Sequence, residues 1–237
     1  MYRLCIIGLG NPDAKYQGTR HNIGKDWLIK KSSQFFKEFT SKKKLKSEIG
    51  KSHSDEILWS IPKNFMNESG ETVQAILKST NISTDMLIVI HDDLDLNLGD
   101  IRIKKGGGHG GHNGLRDIIN KIGKDNFIRI RIGIGHPGNK EDVTNWVLNK
   151  FSPDEKITLD REYLQFAEIC ELICNDQTTN ENYKARYQIG KQRQNELSWH
   201  ENCKLWFCPI NKPPSQIIAG SRSGSYLQFN GPRYGAE

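Results

Sequence analysis

The sequence predicts an α/β fold: a single domain with a mixed, mostly parallel twisted sheet flanked by helices on both sides. Three observations carry that expectation. Strand-like and helix-like segments alternate along most of the chain. The run Met86-Leu87-Ile88-Val89-Ile90 is continuously apolar and stops at His91-Asp92-Asp93, the pattern of a central strand covered on both faces whose carboxyl end opens on a cleft. The length, 237 residues, suffices for one large domain with a substantial core, or for two small ones.

Taken in order, residues 2–9 read as a buried strand. Their apolar stretch is too short for a secretory leader and no cleavage site follows, so the protein is expected inside the cell, in the cytoplasm. Residues 23–39 read as an amphipathic helix with Ile23, Trp27, Phe35 and Phe39 among its apolar positions. Lys42, Lys43, Lys44 and Lys46 follow in a solvated basic turn. Residues 56–61 read as a strand and 70–80 as a helix. After the central strand, Ile101-Arg102-Ile103-Lys104 and Ile128-Arg129-Ile130-Arg131-Ile132 each alternate isoleucine with a cation. As strands they would place four cations on one outer face, which is either an ordinary solvated surface or a phosphate-binding one. A glycine-rich loop lies between them at 106–111, followed by a helix at 113–122; helices are expected at 141–149 and at 153–175, with Pro153 in the first turn. Beyond about residue 187 no apolar period is sustained. Residues 1–187 are therefore read as the folded domain and 188–237 as a disordered C-terminal extension.

The formal charge of +6 favours a polyanionic partner, nucleic acid or an anionic membrane surface. No apolar run approaches the ~20 residues of a membrane span. The five cysteines, Cys5, Cys170, Cys174, Cys203 and Cys208, form no CxxC and fit no zinc spacing, so they read as reduced, small apolar residues.

Five motifs stand at positions where chemistry is possible. Gly8-Leu9-Gly10-Asn11-Pro12 follows a strand but has Asp13 where a dinucleotide fingerprint needs glycine. Asn11 is then either a turn former or an amide presented to a polar substrate group. In Thr19-Arg20-His21-Asn22-Ile23-Gly24, His21 is a capping or surface residue, or a general base. The carboxylates of His91-Asp92-Asp93-Leu94-Asp95 are costly to bury unpaired, and an imidazole is their natural partner; a metal held by His21, Asp92, His109 and His112 is the rival reading. Phe65-Met66-Asn67-Glu68-Ser69-Gly70 is the fourth motif. The fifth, Gly106 to Gly114, lacks the Lys-Ser/Thr of a phosphate-binding P-loop, and its Asn113 could simply cap the next helix.

In this order, GLGNP, TRHNIG, FMNESG, HDDLDL, GGGHGGHNGLRD and RIRIGIGHPG resemble the bacterial-type peptidyl-tRNA hydrolase family over roughly residues 2 to 175. Each motif alone is weak, but six in register are very specific. The resemblance implies hydrolysis of the ester between tRNA and a peptide or N-blocked amino acid, by a His-activated water, with no metal or cofactor. It implies His21 as catalytic base, Asp92 as its holder, and Asn11 as the group that tells N-blocked from free aminoacyl ends. It places substrate and water binding on Asn67 and Asn113, tRNA-end contacts on Tyr16 and Phe65, and a phosphate grip on Lys104 and Arg131. The implied partner is the charged tRNA; no membrane and no obligate protein partner are expected, and the protein is read as a monomer. The alternative is a non-catalytic RNA-binding paralogue of the same fold. Asp13, and Pro62-Lys63-Asn64 before FMN, depart from the family pattern without removing a catalytic group. The tail from 188 has no counterpart in the family, and is either an appended segment or the product of a disrupted reading frame.

Overall fold

The computed structural model describes residues 2–35, 38–51 and 56–175, all within the unit Met1–Arg193. The reading of 188–237, with Cys203 and Cys208, lies outside the described residues.

Strand β1, Leu4–Gly8, is buried along its whole length because its alternate side chains feed two separate cores. Leu4 and Ile6 enter one core and Cys5 and Ile7 the other. The same holds for β5, Leu87–Asp93, where Ile88 and Ile90 point one way and Leu87 and Val89 the other. These strands sit at the centre of a seven-stranded sheet completed by β2 (Thr40–Lys42), β3 (Ser47–Lys51), β4 (Ile57–Pro62), β6 (Ile101–Lys105) and β7 (Ile128–Gly133). The spatial order is β2-β3-β4-β1-β5-β7-β6. Neighbours β4-β1-β5-β7 are parallel; β3 and β6 run the other way, and β2, antiparallel to β3, shares the direction of β4. The sheet is thus mixed and mostly parallel, as expected.

Helices α1 (Ile23–Ser32) and α5 (Pro153–Asn175) contribute Trp27, Leu28, Phe166 and Ile169 to the first core. Helices α2 (Ser69–Thr80) and α3 (Asn113–Ile122) cover the opposite face with Val73, Ile76, Leu115 and Ile118. A short helix α4, Val143–Leu148, precedes α5.

Three expectations are corrected. Helix α1 stops at Ser32 rather than running to 39. The hydroxyls of Ser32 and Ser33 turn back to the carbonyls of Ile29 and Lys30 (2.9 and 3.1 Å), competing with the backbone ladder. The aromatic signal that extended the helix on paper is loop packing: Phe35 stacks on Trp59 with ring centres 5.0 Å apart. The basic turn at 42–46 is the connection of a hairpin, β2–β3, that the sequence did not announce, because β2 is three exposed polar residues. Finally, α3 is capped by His112 rather than by Asn113, since the His112 ring accepts from the Leu115 N–H.

Candidate active site

The carboxyl ends of the parallel strands open on one cleft of about 870 Å³. All nine residues singled out above border it: Asn11, Tyr16, His21, Phe65, Asn67, Asp92, Lys104, Asn113 and Arg131.

Glycines set its depth. A side chain on Gly24, at the start of α1, would put its Cβ 2.4 Å from the carbonyl oxygen of Ile90 in β5. Only glycine lets the helix descend that far, and its descent lays His21, just before α1, beside the end of β5. Arg20 anchors the same turn from the other side: one guanidinium nitrogen, Nη2, donates to both carboxylate oxygens of Glu155 at 2.8 and 2.9 Å, and the guanidinium lies 3.8 Å from the Trp146 ring centre.

His21 is buried, at 6% exposure, and is not a surface residue. Its Nδ1 lies 3.0 and 2.9 Å from the two carboxylate oxygens of Asp92. A carboxylate only accepts, so Nδ1 carries the hydrogen and Nε2 keeps its lone pair. Burial by itself would lower the His21 pKa; the charge of Asp92 and the hydrogen bond to it outweigh that, and the net direction is upward from 6.5.

Asp92 is 3% exposed and accepts a second imidazole N–H, from His112 Nε2 at 3.0 Å. That tautomer is dictated by the helix cap, since His112 Nδ1 already accepts from the Leu115 N–H at 3.2 Å. Burial opposes ionisation of Asp92, but His21 and His112 together hold its carboxyl well below the usual carboxylate range. His91, the preceding residue, donates from Nδ1 to the Asp92 carbonyl at 2.6 Å, and burial, then the neighbouring His112, push its pKa down to about 3. It is a neutral ring beside the pair.

Asn11 is also buried and oriented. Its Oδ1 accepts from the Met66 N–H at 2.9 Å, so its NH₂ group is the end left over. Asn22 holds the Asn11 backbone through two bonds, at 2.8 and 3.1 Å. Asn11 thus takes part in the turn, and its NH₂ group has no partner among the described residues. Asn67 and Asn113 are exposed at the rim, with Asn113 Oδ1 accepting from Arg116 at 3.1 Å. Tyr16 and Phe65 meet edge to face, ring centres 6.4 Å apart, and Phe65 is left 43% exposed.

The four alternating cations do share one face: Arg102 pairs with Arg131 and Lys104 with Arg129 across β6 and β7. They are not equivalent. Arg129 is only 3% exposed and spends its guanidinium on the carbonyls of Gly107 (a short contact) and Gly108 (2.6 Å). It is a buried brace for the glycine loop rather than an outward cation. Arg131 donates from Nε to Asp93 at 2.6 Å, which raises its pKa. Lys104 is exposed and has no ion pair among the described residues. Arg102 is exposed and does not border the cleft.

His21, Asp92 and His112 place ligand atoms within 4.8 Å of one another, so the metal reading keeps three of its four residues and loses His109. The cap argues against it. A metal on His112 Nε2 would move the hydrogen to Nδ1, where it would face the Leu115 N–H. The sequence reading undervalued His112 and Arg129. The first was visible only as a possible ligand, the second only as one of four alternating cations.

Fold and site together define an α/β protein with a base-type centre: a buried carboxylate holds an imidazole whose free nitrogen borders a cleft. No Ser or Cys borders that cleft among the described residues. The chain belongs to the peptidyl-tRNA hydrolase family, whose model matches residues 5–196. A peptidyl-tRNA hydrolase of Histophilus somni (strain 129Pt) is 42% identical over 178 residues, 73% of this chain and 91% of the relative. One from Rickettsia africae (strain ESF-5) is 46% identical over 158 residues, 66% of this chain and 85% of that one. The crystal structure of peptidyl-tRNA hydrolase from Acinetobacter baumannii superposes with a TM-score of 0.67 at 38% identity, covering 72% of this chain and 87% of that one. Among the described residues no helix is long and apolar enough to cross a membrane.

Proposed function

We propose that this protein hydrolyses the ester bond between the terminal ribose of tRNA and a peptide or N-blocked amino acid, returning free tRNA to translation. The observation that carries the reading is the His21–Asp92–His112 arrangement, which leaves one lone pair, on His21 Nε2, bordering the cleft. Water bound there gives its proton to Nε2 as its oxygen attacks the ester carbonyl. Asp92 stabilises the imidazolium that forms. When the tetrahedral intermediate collapses, the imidazolium returns the proton to the departing ribose oxygen, so the products are the peptide acid and the tRNA hydroxyl. Amides of Asn67 and Asn113 hold the water and the developing oxyanion. The NH₂ of Asn11 donates to the first carbonyl of the blocked amino group; a free α-ammonium would set donor against donor. Tyr16 and Phe65 offer rings to the terminal bases, and Lys104 and Arg131 meet phosphate. The enzyme acts in the cytoplasm, as a monomer, since one chain supplies all nine cleft residues. The intact acid–base set favours this over a non-catalytic RNA-binding role.

The test is turnover of N-acetyl-aminoacyl-tRNA by the wild type and by His21→Ala, with and without a chelator. We expect His21→Ala to lose ~10²–10⁴-fold in kcat while still binding tRNA, and the chelator to change nothing. A variant that keeps most of its kcat removes His21 as the base; inhibition by the chelator brings back the metal.

A further inference from the structure

Strand direction puts a second set of cations at the same end of the molecule as the cleft. Because β2 shares the direction of β4, its carboxyl end lies at the sheet edge where β4, β1 and β5 also end. The end of β2 and the turn that follows it carry Lys42, Lys43 and Lys44, all exposed. Lys42 and Lys43 use only their backbones, in the hairpin ladder and the turn, and no side chain of the three has an ion pair or hydrogen bond among the described residues. Their neighbours differ: Lys46 is paired with Glu71, and Lys63 lies 3.8 Å from Glu48. The turn is also joined to the cleft rim, because the Lys63 N–H donates to the Lys46 carbonyl at 2.9 Å and the chain reaches Phe65 two residues later. At ~4.8 Å per strand, β2 stands about 14 Å to one side of β1, whereas Lys104 and Arg131 stand on the other side, on β6 and β7. The cleft is thus flanked by cations on both sides.

A cluster of like charges without acidic partners is costly to hold together unless a polyanion covers it. The same cluster on a remote face would be ordinary solvated surface. Here it stands at the carboxyl ends of the strands, as the cleft does, and is tied through Lys63 to the segment that carries Phe65 to the rim. We infer that Lys42, Lys43 and Lys44 form a second phosphate-binding surface that grips the body of the tRNA beyond its terminal nucleotides, on the flank opposite Lys104 and Arg131. The inference rests on the tRNA-ester reading for its ligand. The contact is a Coulombic one, indifferent to base sequence and weakened by salt.

The experiment replaces all three at once, Lys42→Gln, Lys43→Gln and Lys44→Gln, beside a triple Lys→Arg control. Two substrates are compared, full-length N-acetyl-aminoacyl-tRNA and an N-acetyl-aminoacyl ester on a two- or three-nucleotide fragment too short to reach the turn. Binding of uncharged tRNA is followed separately across a salt series. We expect KM for the full-length substrate to rise roughly tenfold, and the slope of log affinity against log salt to fall by two to three. We also expect kcat and the short-substrate kcat/KM to be kept, and the arginine control to behave as wild type. Unchanged KM and salt slope overturn the inference, as does an equal loss on both substrates. Failure of the wild type to cleave either substrate would instead sink the enzymatic reading, and the salt series on uncharged tRNA would still decide whether the turn binds it.

Discussion

At the residue scale, the buried Asp92 carboxylate holds two imidazoles in opposite states of usefulness. His112 has both nitrogens committed, to Asp92 and to the end of α3, whereas His21 has one free. The upward shift of His21 has a consequence for pH. The base works only when deprotonated, so kcat/KM should rise with pH and level off above that raised pKa. Asp92→Asn removes the charge that raises it and leaves burial to lower it. The acidic limb should therefore move to lower pH while the plateau drops, though by less than in His21→Ala, because the base remains. A profile that keeps both its midpoint and its height would show that the pair does not act together. Asn11 supports a second prediction. In Asn11→Asp, one oxygen can still accept from Met66, and the other replaces the free NH₂. The new carboxylate attracts a free α-ammonium, so the ratio of kcat/KM for N-acetylated over free aminoacyl-tRNA should fall, by about tenfold if the new pair is worth ~1.4 kcal/mol. An unchanged ratio would take discrimination away from Asn11.

At the scale of elements, the β6–β7 hairpin shows how one alternating pattern yields unlike residues. Isoleucines enter the core and cations share the other face, as period two demands. What differs is the cover. All three of Lys104, Arg129 and Arg131 border the cleft, but Arg129 is buried and its bonds to Gly107 and Gly108 hold the glycine loop, while Lys104 is exposed and Arg131 half-buried against Asp93. The double variant Lys104→Gln, Arg131→Gln should accordingly raise KM for full-length tRNA and leave kcat, and the short-fragment substrate, nearly untouched. Arg129→Gln should harm both substrates, because the loop that leads into His112 loses its brace and the carbonyls of Gly107 and Gly108 lose their donor. If the double variant harms both substrates equally, the two cations belong to the scaffold instead. Equal harmlessness of Arg129→Gln would remove the brace.

At the scale of the whole molecule, the described residues bordering the cleft lie between Asn11 and Leu148, and the last described element ends at Asn175. The family match continues to residue 196, past the boundary proposed at 187. Chains ending at Tyr187 and at residue 196 are both expected to keep full activity and melting temperature. Loss in the shorter chain alone would move the boundary into 188–196, and loss in both would give 197–237 a part in the fold.

Much of this was written in local sequence. The runs of β1 and β5 state their burial directly, Pro153 marks the start of α5, and the left-handed Gly123 marks the end of α3, because each depends on neighbours in the chain. The resemblance then named the cleft residues, including Asn67 and Asn113, whose composition alone says little. Strand order, however, is a matter of contacts between distant segments. That β2 and β3 add an edge to the sheet, that Phe35 leaves the helix to stack on Trp59, and that Arg129 is buried while Lys104 is not were decided only when the chain closed on itself. The same is true of the proton positions. Sequence shows the histidines and, through the resemblance, the pairing of His21 with Asp92, but which nitrogen keeps a lone pair depends on the Leu115 N–H and the Asp92 carboxylate reaching their rings from separate elements. A hydrogen-bond network assigns tautomers through space, and no local pattern records it.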